Sequence, residues 1–219
     1  MSDDVYVQLV DLAGGALLLT AVLILWRREL AVIIRVFAVQ GVALGALVAV
    51  LAAREQTAEL WVSAAGIVLL RAGALPALLR RAMRHAARRE TRPMVNVAAS
   101  LLAAAALTLL AYAVSRPLVA LAPSPATQAI PVGVTVVLIG FFVLVTRRRA
   151  LSQIVGFLLL DNGITAVGFL TTASVGLVVE LGMSLDVLLA VLVLGILTAR
   201  MRETFGGTDL DELRELRDS

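Results

Sequence analysis

Long apolar runs, bounded by charged residues or prolines, dominate the chain. Seven such runs occur, each of about twenty residues, the length of α-helix that crosses the hydrocarbon core of a bilayer. They cover roughly residues 5–26, 30–53, 60–79, 94–114, 128–146, 151–172 and 176–199. The pattern predicts an all-α integral membrane protein with seven transmembrane helices, the first of which is retained as a span.

The arginines between the runs predict the orientation, because short cytoplasmic loops collect basic residues. The connections after the first, third, fifth and seventh runs are arginine-rich, whereas each alternate connection carries at most one arginine. The arginines of the rich connections are Arg27, Arg28, Arg80, Arg81, Arg84, Arg88, Arg89, Arg92, Arg147, Arg148, Arg149, Arg200 and Arg202. We therefore expect the amino terminus outside and the carboxyl terminus in the cytoplasm.

Composition narrows the functional classes. Hydrophobic residues make up 60% of the chain, and the mean hydropathy is +0.96, far above the apolar usage of soluble domains. The spans leave no room for a separate soluble catalytic unit. There is no cysteine and one histidine, His85, so the chain cannot by itself build a thiolate-ligated iron–sulfur, nickel or structural zinc site. We expect no cofactor or metal site in this chain.

Prolines and small residues organise the chain between and within the runs. Four prolines between Ser115 and Pro131 predict an extended lid or linker. The expected divisions are a four-helix half, a proline-rich external loop, a three-helix half and a cytoplasmic tail, at residues 1–115, 116–130, 131–202 and 203–219. In the tail, leucines recur at about one helical turn, which is typical either of a short docking helix or of a frayed end. Glycines on the second and sixth runs allow close helix packing.

The basic connection from Arg80 to Arg92 admits two interpretations. Clustered arginines attract phosphate, but membrane topology alone explains these charges, and no aromatic side chains are interleaved for base stacking. We therefore expect a lipid bilayer around the chain and no nucleic-acid partner.

Three ionisable residues, Arg71, Asp161 and Asp186, each lie near the centre of an apolar run. A charged side chain at that depth costs roughly 2.5 to 3.5 kcal/mol on insertion scales, so such residues persist mainly where they face partners, water or a conduction route. Asn162 adjoins Asp161, and Glu180 precedes Asp186 by six residues, about 9 Å along a helix. These five residues form the candidate proton relay, with Glu180 toward the outside.

Two interpretations of these charges remain open. Arg71 cannot release its proton in the membrane, whereas a carboxyl group can. A nearby arginine favours the ionised carboxylate and removal from water favours the protonated acid, so a changing distance between the two groups would switch proton binding. Alternatively, Arg71 neutralises one aspartate as a purely structural ion pair, which would leave the second aspartate without a role.

Three segments resemble the hydrogenase 4 component E proteins, membrane subunits of group 4 nickel–iron hydrogenase and formate hydrogenlyase-like complexes. LSQIVGFLLLDNG at Leu151–Gly163 looks like the family's segment ending in Glu-Asn-Gly, with Asp161 as the acid. Arg71 precedes Pro76 where the family has a lysine. Asp186 precedes a long apolar stretch that closes with Ala199-Arg200.

The back half, residues 128–219, is also similar to the K subunit of NADH-quinone oxidoreductase and to the C subunit of multisubunit cation/proton antiporters. Asp186 falls at the position of the K subunit's third-helix glutamate. The K subunit's second-helix glutamate falls on Leu158, so Asp161 stands one helical turn later. The resemblance thus implies a related relay in which the acid of the second helix lies one turn further along than in the K subunit.

The resemblance implies a membrane-arm subunit of a hydrogenase-like, complex I-like oxidoreductase that conserves energy by moving protons or sodium ions. The subunit would be non-catalytic, in the cytoplasmic membrane of a bacterium or archaeon. Expected partners are antiporter-like membrane subunits, a membrane-anchor subunit and hydrophilic redox subunits, which would hold the nickel–iron centre and iron–sulfur clusters. The alternatives are a structural scaffold in that complex and a subunit of a cation/proton antiporter.

Overall fold

In the computed structural model, residues 2–85, 96–121, 123–147 and 150–171 are described, and the elements in these ranges are all helices. They are α1 (Asp3–Trp26), α2 (Leu30–Glu55), α3 (Ala58–Ile67), a π-helical segment (Val68–Ala74), α4 (Leu75–His85), α5 (Val97–Leu121), α6 (Pro125–Gln128), α7 (Ile130–Thr146) and α8 (Ala150–Thr171). The π-helical segment joins α3 to α4 without a break, so the three form one long helix.

Six stretches of the described ranges are helical, long and apolar enough to cross a membrane. They are Asp3–Trp26, Leu30–Glu55, Ala58–Met83, Val97–Leu121, Pro125–Thr146 and Leu151–Thr171. These correspond in order to the first six predicted spans, so the all-helical, multi-pass membrane architecture is confirmed. The predicted seventh span, 176–199, and the tail lie outside the described residues, and the orientation stays a prediction.

Helices α1 and α2 form an antiparallel pair joined by residues 27–29. At one end, Arg54 Nη2 lies 2.7 Å from Asp3 Oδ1. Near the middle, the side-chain amide nitrogen of Gln40 donates to the Leu17 carbonyl at 3.3 Å. The two contacts set the register, because each step forward along α1 corresponds to one step back along α2.

Glycine lets the second helix approach the third span closely. A Cβ atom added at Gly41 would lie 2.7 Å from the carbonyl carbon of Arg71 and 2.8 Å from the backbone nitrogen of Ala72. Only a residue without a side chain fits there. The pair Gly41 and Gly45 on the second run therefore serves packing within this chain, since a Cβ atom at Gly45 would collide with a side-chain methyl group of Val68.

Helices α7 and α8 pack antiparallel against each other through glycines spaced by seven residues. Gly133 and Gly140 lie on α7, and Gly156 and Gly163 lie on α8. A Cβ atom at Gly163 would lie 2.5 Å from the backbone nitrogen of Val137, and one at Gly156 would lie 2.7 Å from that of Leu144. Backbone-to-backbone contact brings α8, which carries Asp161, against the bundle.

The proline-rich segment 116–130 is more helical than the extended loop that the sequence predicts. Helix α5 continues through Pro117 to Leu121. Pro125 and Pro131 lie in the first turns of α6 and α7, where proline's missing N–H has no helical partner to lose and its fixed φ favours the helix. Ser124 caps α6 by accepting from the Thr127 backbone N–H at 3.1 Å. Two of these prolines therefore begin helices.

Arg147, an arginine of the predicted cytoplasmic clusters, links the ends of two helices. Arg147 is buried, and its Nη2 donates to the carbonyls of Leu25 at 3.0 Å and Arg27 at 3.1 Å. These carbonyls lie at the end of α1, where the helix dipole favours a cation. Burial lowers the pKa of Arg147 below its usual value, and the positive charge of Arg28 lowers it further. Arg147 thus ties the end of α7 to the end of α1.

The glycine contacts make a prediction about stability. Gly163→Ala should destabilise the folded chain by about 1–3 kcal/mol, the usual effect of overpacking a well-packed contact. Gly168→Ala, on the same helix, is the matched control, because no described residue of another helix lies within 4 Å of its added Cβ and alanine favours helix by up to about 1 kcal/mol. Thermal unfolding of the full chain in detergent measures both. Equal stability of the two variants would contradict the packing.

Candidate functional site

The site begins at a local change in helix type in the third span. Val68–Ala74 is π-helical, and the backbone N–H of Leu75 donates to the Leu70 carbonyl, five residues earlier. Pro76 follows directly, and it cannot donate an amide proton to the preceding turn. Within a membrane, local π adjustments satisfy the carbonyls that a proline would leave unpaired. π-Bulges occur frequently at functional sites, and Arg71 lies at the centre of this one.

Arg71 is held by three side chains of α8. Its Nη1 lies 2.6 Å from Asp161 Oδ2 and donates to Asn162 Oδ1 at 2.5 Å. Its Nη2 donates to Thr165 Oγ1 at 2.7 Å. Residues 161, 162 and 165 fall within about one helical turn, so one short stretch of α8 supplies every contact that the structure gives to the guanidinium.

The network continues through two side-chain amides into the first two helices. Asn162 Nδ2 donates to Gln40 Oε1 at 3.0 Å, and Gln40 Nε2 donates to the Leu17 carbonyl at 3.3 Å. Gln40 is 0% exposed and Asn162 is 1% exposed. A continuous chain of hydrogen bonds therefore runs from α1 through α2 and α8 to Arg71.

The two charged members of the network differ in burial. The Arg71 side chain is 2% exposed, whereas the Asp161 side chain is 17% exposed. Among the described residues, Asp161 pairs with Arg71 alone, and its neighbour Ile164 on α8 is exposed. The fixed positive charge lies inside the bundle, and the carboxylate lies at the edge of its described part.

The structure brings together three of the five residues of the predicted relay: Arg71, Asp161 and Asn162. Thr165, one turn after Asp161, joins them. The other two, Glu180 and Asp186, lie outside the described residues, so their place in the relay stays a prediction. The sequence prediction missed Gln40. Its signal was an amide side chain alone within the apolar stretch from Val36 to Ala53.

The polar groups of the site are suited to stabilising a buried charge. It consists of a guanidinium, two amides, one hydroxyl and one carboxylate. Within the described ranges, no group of three histidine, cysteine, aspartate or glutamate side chains could hold a metal ion. The titratable member is Asp161, because arginine stays protonated in proteins and amides do not titrate.

The fold and the site define a class: a helical, multi-pass membrane protein with an arginine–aspartate pair buried between its spans. The chain is 51% identical over 220 residues to the uncharacterized protein Rv0085 of Mycobacterium tuberculosis, and the match covers all of both chains. The chain belongs to the family of that protein. No protein-family model matches the chain, and no solved structure matches it.

A more distant similarity also extends over nearly the whole chain. Hydrogenase-4 component E of Escherichia coli strain K12 is 24% identical over 211 residues, which are 96% of this chain and 98% of that protein. Hydrogenase-4 component E of Shigella flexneri matches to the same extent. These matches support the relationship to hydrogenase-4 component E that the sequence motifs predict. The similarity to the K subunit of NADH-quinone oxidoreductase stays a prediction.

The ion pair makes a prediction about stability. Arg71→Met should cost about 3–5 kcal/mol, because it leaves a largely buried carboxylate without its partner. Arg71→Met combined with Asp161→Leu should recover part of this loss, since no uncompensated charge then remains. Asp3→Asn is the control: its exposed ion pair is worth about 0–1 kcal/mol. Unfolding of the full chain in detergent measures all of them, and an Arg71→Met protein as stable as the wild type would contradict the assigned role.

Proposed function

We propose that the chain is a membrane subunit of a hydrogenase-like complex and that it contributes Asp161 to the movement of protons or sodium ions across the membrane. The observation that carries the proposal is the Arg71–Asp161 pair within the spans. The distant similarity to hydrogenase-4 component E supplies the kind of complex.

The geometry supports ion movement through the different properties of the two charges. Arg71 is a permanent cation, and its side chain is 2% exposed. Asp161 can bind and release a proton, and part of its side chain is accessible from outside the described bundle. A proton or a sodium ion that reaches Asp161 would meet a carboxylate whose charge is balanced by Arg71 at 2.6 Å. In the proposed elementary step, the ion binds to the Asp161 carboxylate and the contact between Asp161 and Arg71 breaks.

The remaining relay residues belong to this proposal as well. Asp186 lies near the centre of the predicted seventh span, and Glu180 precedes it by six residues, which would be about 9 Å if the span is helical. We assign Asp186 as the next carrier after Asp161, and Glu180 as the exit toward the outside. Asn162 orients Arg71 and carries no ion itself.

The chain performs no bond chemistry in this proposal. Hydrophilic redox subunits would hold the nickel–iron centre and iron–sulfur clusters, and a membrane-anchor subunit would attach them. Antiporter-like membrane subunits would lie beside this chain in the cytoplasmic membrane. Electron transfer in those partners would drive the movement of charge past Asp161.

One observation favours a second candidate, a structural scaffold. Arg71, Asn162 and Gln40 satisfy one another through hydrogen bonds, and a satisfied buried network can exist solely to fix helix packing. In that case Asp161 would act only as the counter-charge of Arg71. The two candidates differ in what a neutral side chain at position 161 does to the complex.

Substitution of the relay acids tests the proposal. Asp161→Asn and Asp186→Asn should each abolish ion movement by the complete complex in vesicles, because neither amide can take up a proton, while the complex still assembles. Ion movement is followed with a pH-sensitive dye or a sodium-sensitive dye, and assembly with a native gel.

Asp11→Asn is the matched control, since Asp11 is an exposed acid of α1 outside the network, and it should leave both measurements unchanged. Wild-type ion movement in both relay variants would overturn the proposal. Loss of assembly in both variants would establish the scaffold instead.

A further inference from the structure

The orientation of a buried side-chain amide is not fixed by its own chemistry. The amide of Asn162 can present either its oxygen or its NH₂ group to a neighbour. Arg71 has only donors, so an NH₂ group turned toward it would place two donors face to face. Arg71 therefore selects the oxygen of Asn162, and a group that accepts from the Asn162 NH₂ on the other side would reinforce this orientation.

Gln40 supplies that group, and the Leu17 carbonyl, which can only accept, sets the orientation of Gln40. The carbonyl accepts from Gln40 Nε2 at 3.3 Å, which turns Gln40 Oε1 toward Asn162. That oxygen accepts from Asn162 Nδ2 at 3.0 Å, which leaves Asn162 Oδ1 for Arg71. The acceptor at one end of this network and the donor-only guanidinium at the other therefore set the same direction for each hydrogen bond between them.

We propose that Gln40 is a positioning residue for the ion pair. Its hydrogen bonds to the Leu17 carbonyl and to Asn162 hold the Asn162 oxygen on Arg71, and this contact holds the guanidinium against Asp161. The inference deepens the proposed function and rests on it for its significance in ion movement.

Arg71 is sensitive to Asn162 because a single nitrogen serves both partners. Nη1 contacts Asn162 Oδ1 at 2.5 Å and Asp161 Oδ2 at 2.6 Å. If Asn162 turned its NH₂ group toward this nitrogen, the repulsion between donors would displace Nη1 from Asp161 as well. Gln40 therefore acts on Asp161 without touching it, through two hydrogen bonds and one shared nitrogen.

The effect on Asp161 is isolated from other charges in the described residues. Helices α6 and α7, which pack against α8, carry no ionisable side chain. Those of α2, which also packs against α8, are Arg35, Arg54 and Glu55, and all three are exposed. Among the described residues, Arg71 is then the charged group through which Gln40 can change the proton binding of Asp161.

The test measures proton binding at Asp161 directly in the full-length chain in lipid vesicles. The infrared carboxyl band of Asp161 is obtained by subtracting the spectrum of Asp161→Asn in the same background, and its midpoint pH is recorded. Gln40→Met, which keeps the length of the side chain and removes both hydrogen-bonding groups, should shift the midpoint by about one pH unit, a tenfold change in proton binding.

Thr135→Val is the matched control. Thr135 is also buried and polar, but within the described ranges its hydroxyl donates only to the Pro131 carbonyl of its own helix, so the midpoint should stay at the wild-type value. In an Arg71→Met background, Gln40→Met should cause no further shift. An unchanged midpoint in folded Gln40→Met, or an equal shift without Arg71, would overturn the inference.

A second variant covers the case in which Gln40→Met does not fold. Gln40→Leu also removes both hydrogen-bonding groups and adds no charge, so the same shift is expected. Different results would contradict the inference and the proposed function. A shift in the midpoint combined with normal ion movement in Asp161→Asn would retain the positioning role of Gln40 and reject the transport role of Asp161.

Discussion

A guanidinium group that stays charged inside a membrane constrains everything around it. Arg71 cannot lose its proton, and its side chain is almost completely shielded, so the bundle must bring acceptors to it. Asp161, Asn162 and Thr165 provide them from one turn of α8. The rotation and the height of α8 relative to the third span follow from this requirement, because a displacement by one residue in either direction would replace two of the three polar side chains with apolar residues or glycine.

Meeting that requirement depends on helices that approach one another closely. Helices in lipid gain little from apolar burial, so backbone contact and polar bonds supply the association. Gly41 admits α2 to the backbone of Arg71, and Gly163 admits α8 to the backbone of α7. The first contact brings Gln40 within reach of Asn162, and the second fixes the helix that carries Asp161. The glycine contacts and the buried hydrogen-bond network therefore act together to fix how the helices pack.

The features set by the bilayer could be predicted from the sequence, and those set by local packing could not. The length of the hydrophobic runs predicts the six described spans, and the cost of charge in lipid predicts that Arg71 lies near an aspartate of another span, without selecting Asp161 over Asp186. Gln40 escaped prediction because an amide is a weaker signal than a charge and its partner lies 122 residues away. The helical character of 116–130 was also missed, since a proline that begins a helix and one that ends it look alike in sequence.

The way in which Arg71 is held determines what Asp161 is free to do. Two of the three partners of Arg71, Asn162 and Thr165, are neutral and do not titrate. If Asp161 bound a proton, the guanidinium would still have an acceptor for each of its two terminal nitrogens. Arg71 would then keep its place while the carboxyl group changed its charge. A pair built only for packing would need the same acceptors, because a buried guanidinium must have its remaining N–H groups satisfied. The neutral acceptors around Arg71 and the more exposed position of Asp161 are therefore what the proposed exchange at Asp161 requires, and they are equally compatible with a structural pair.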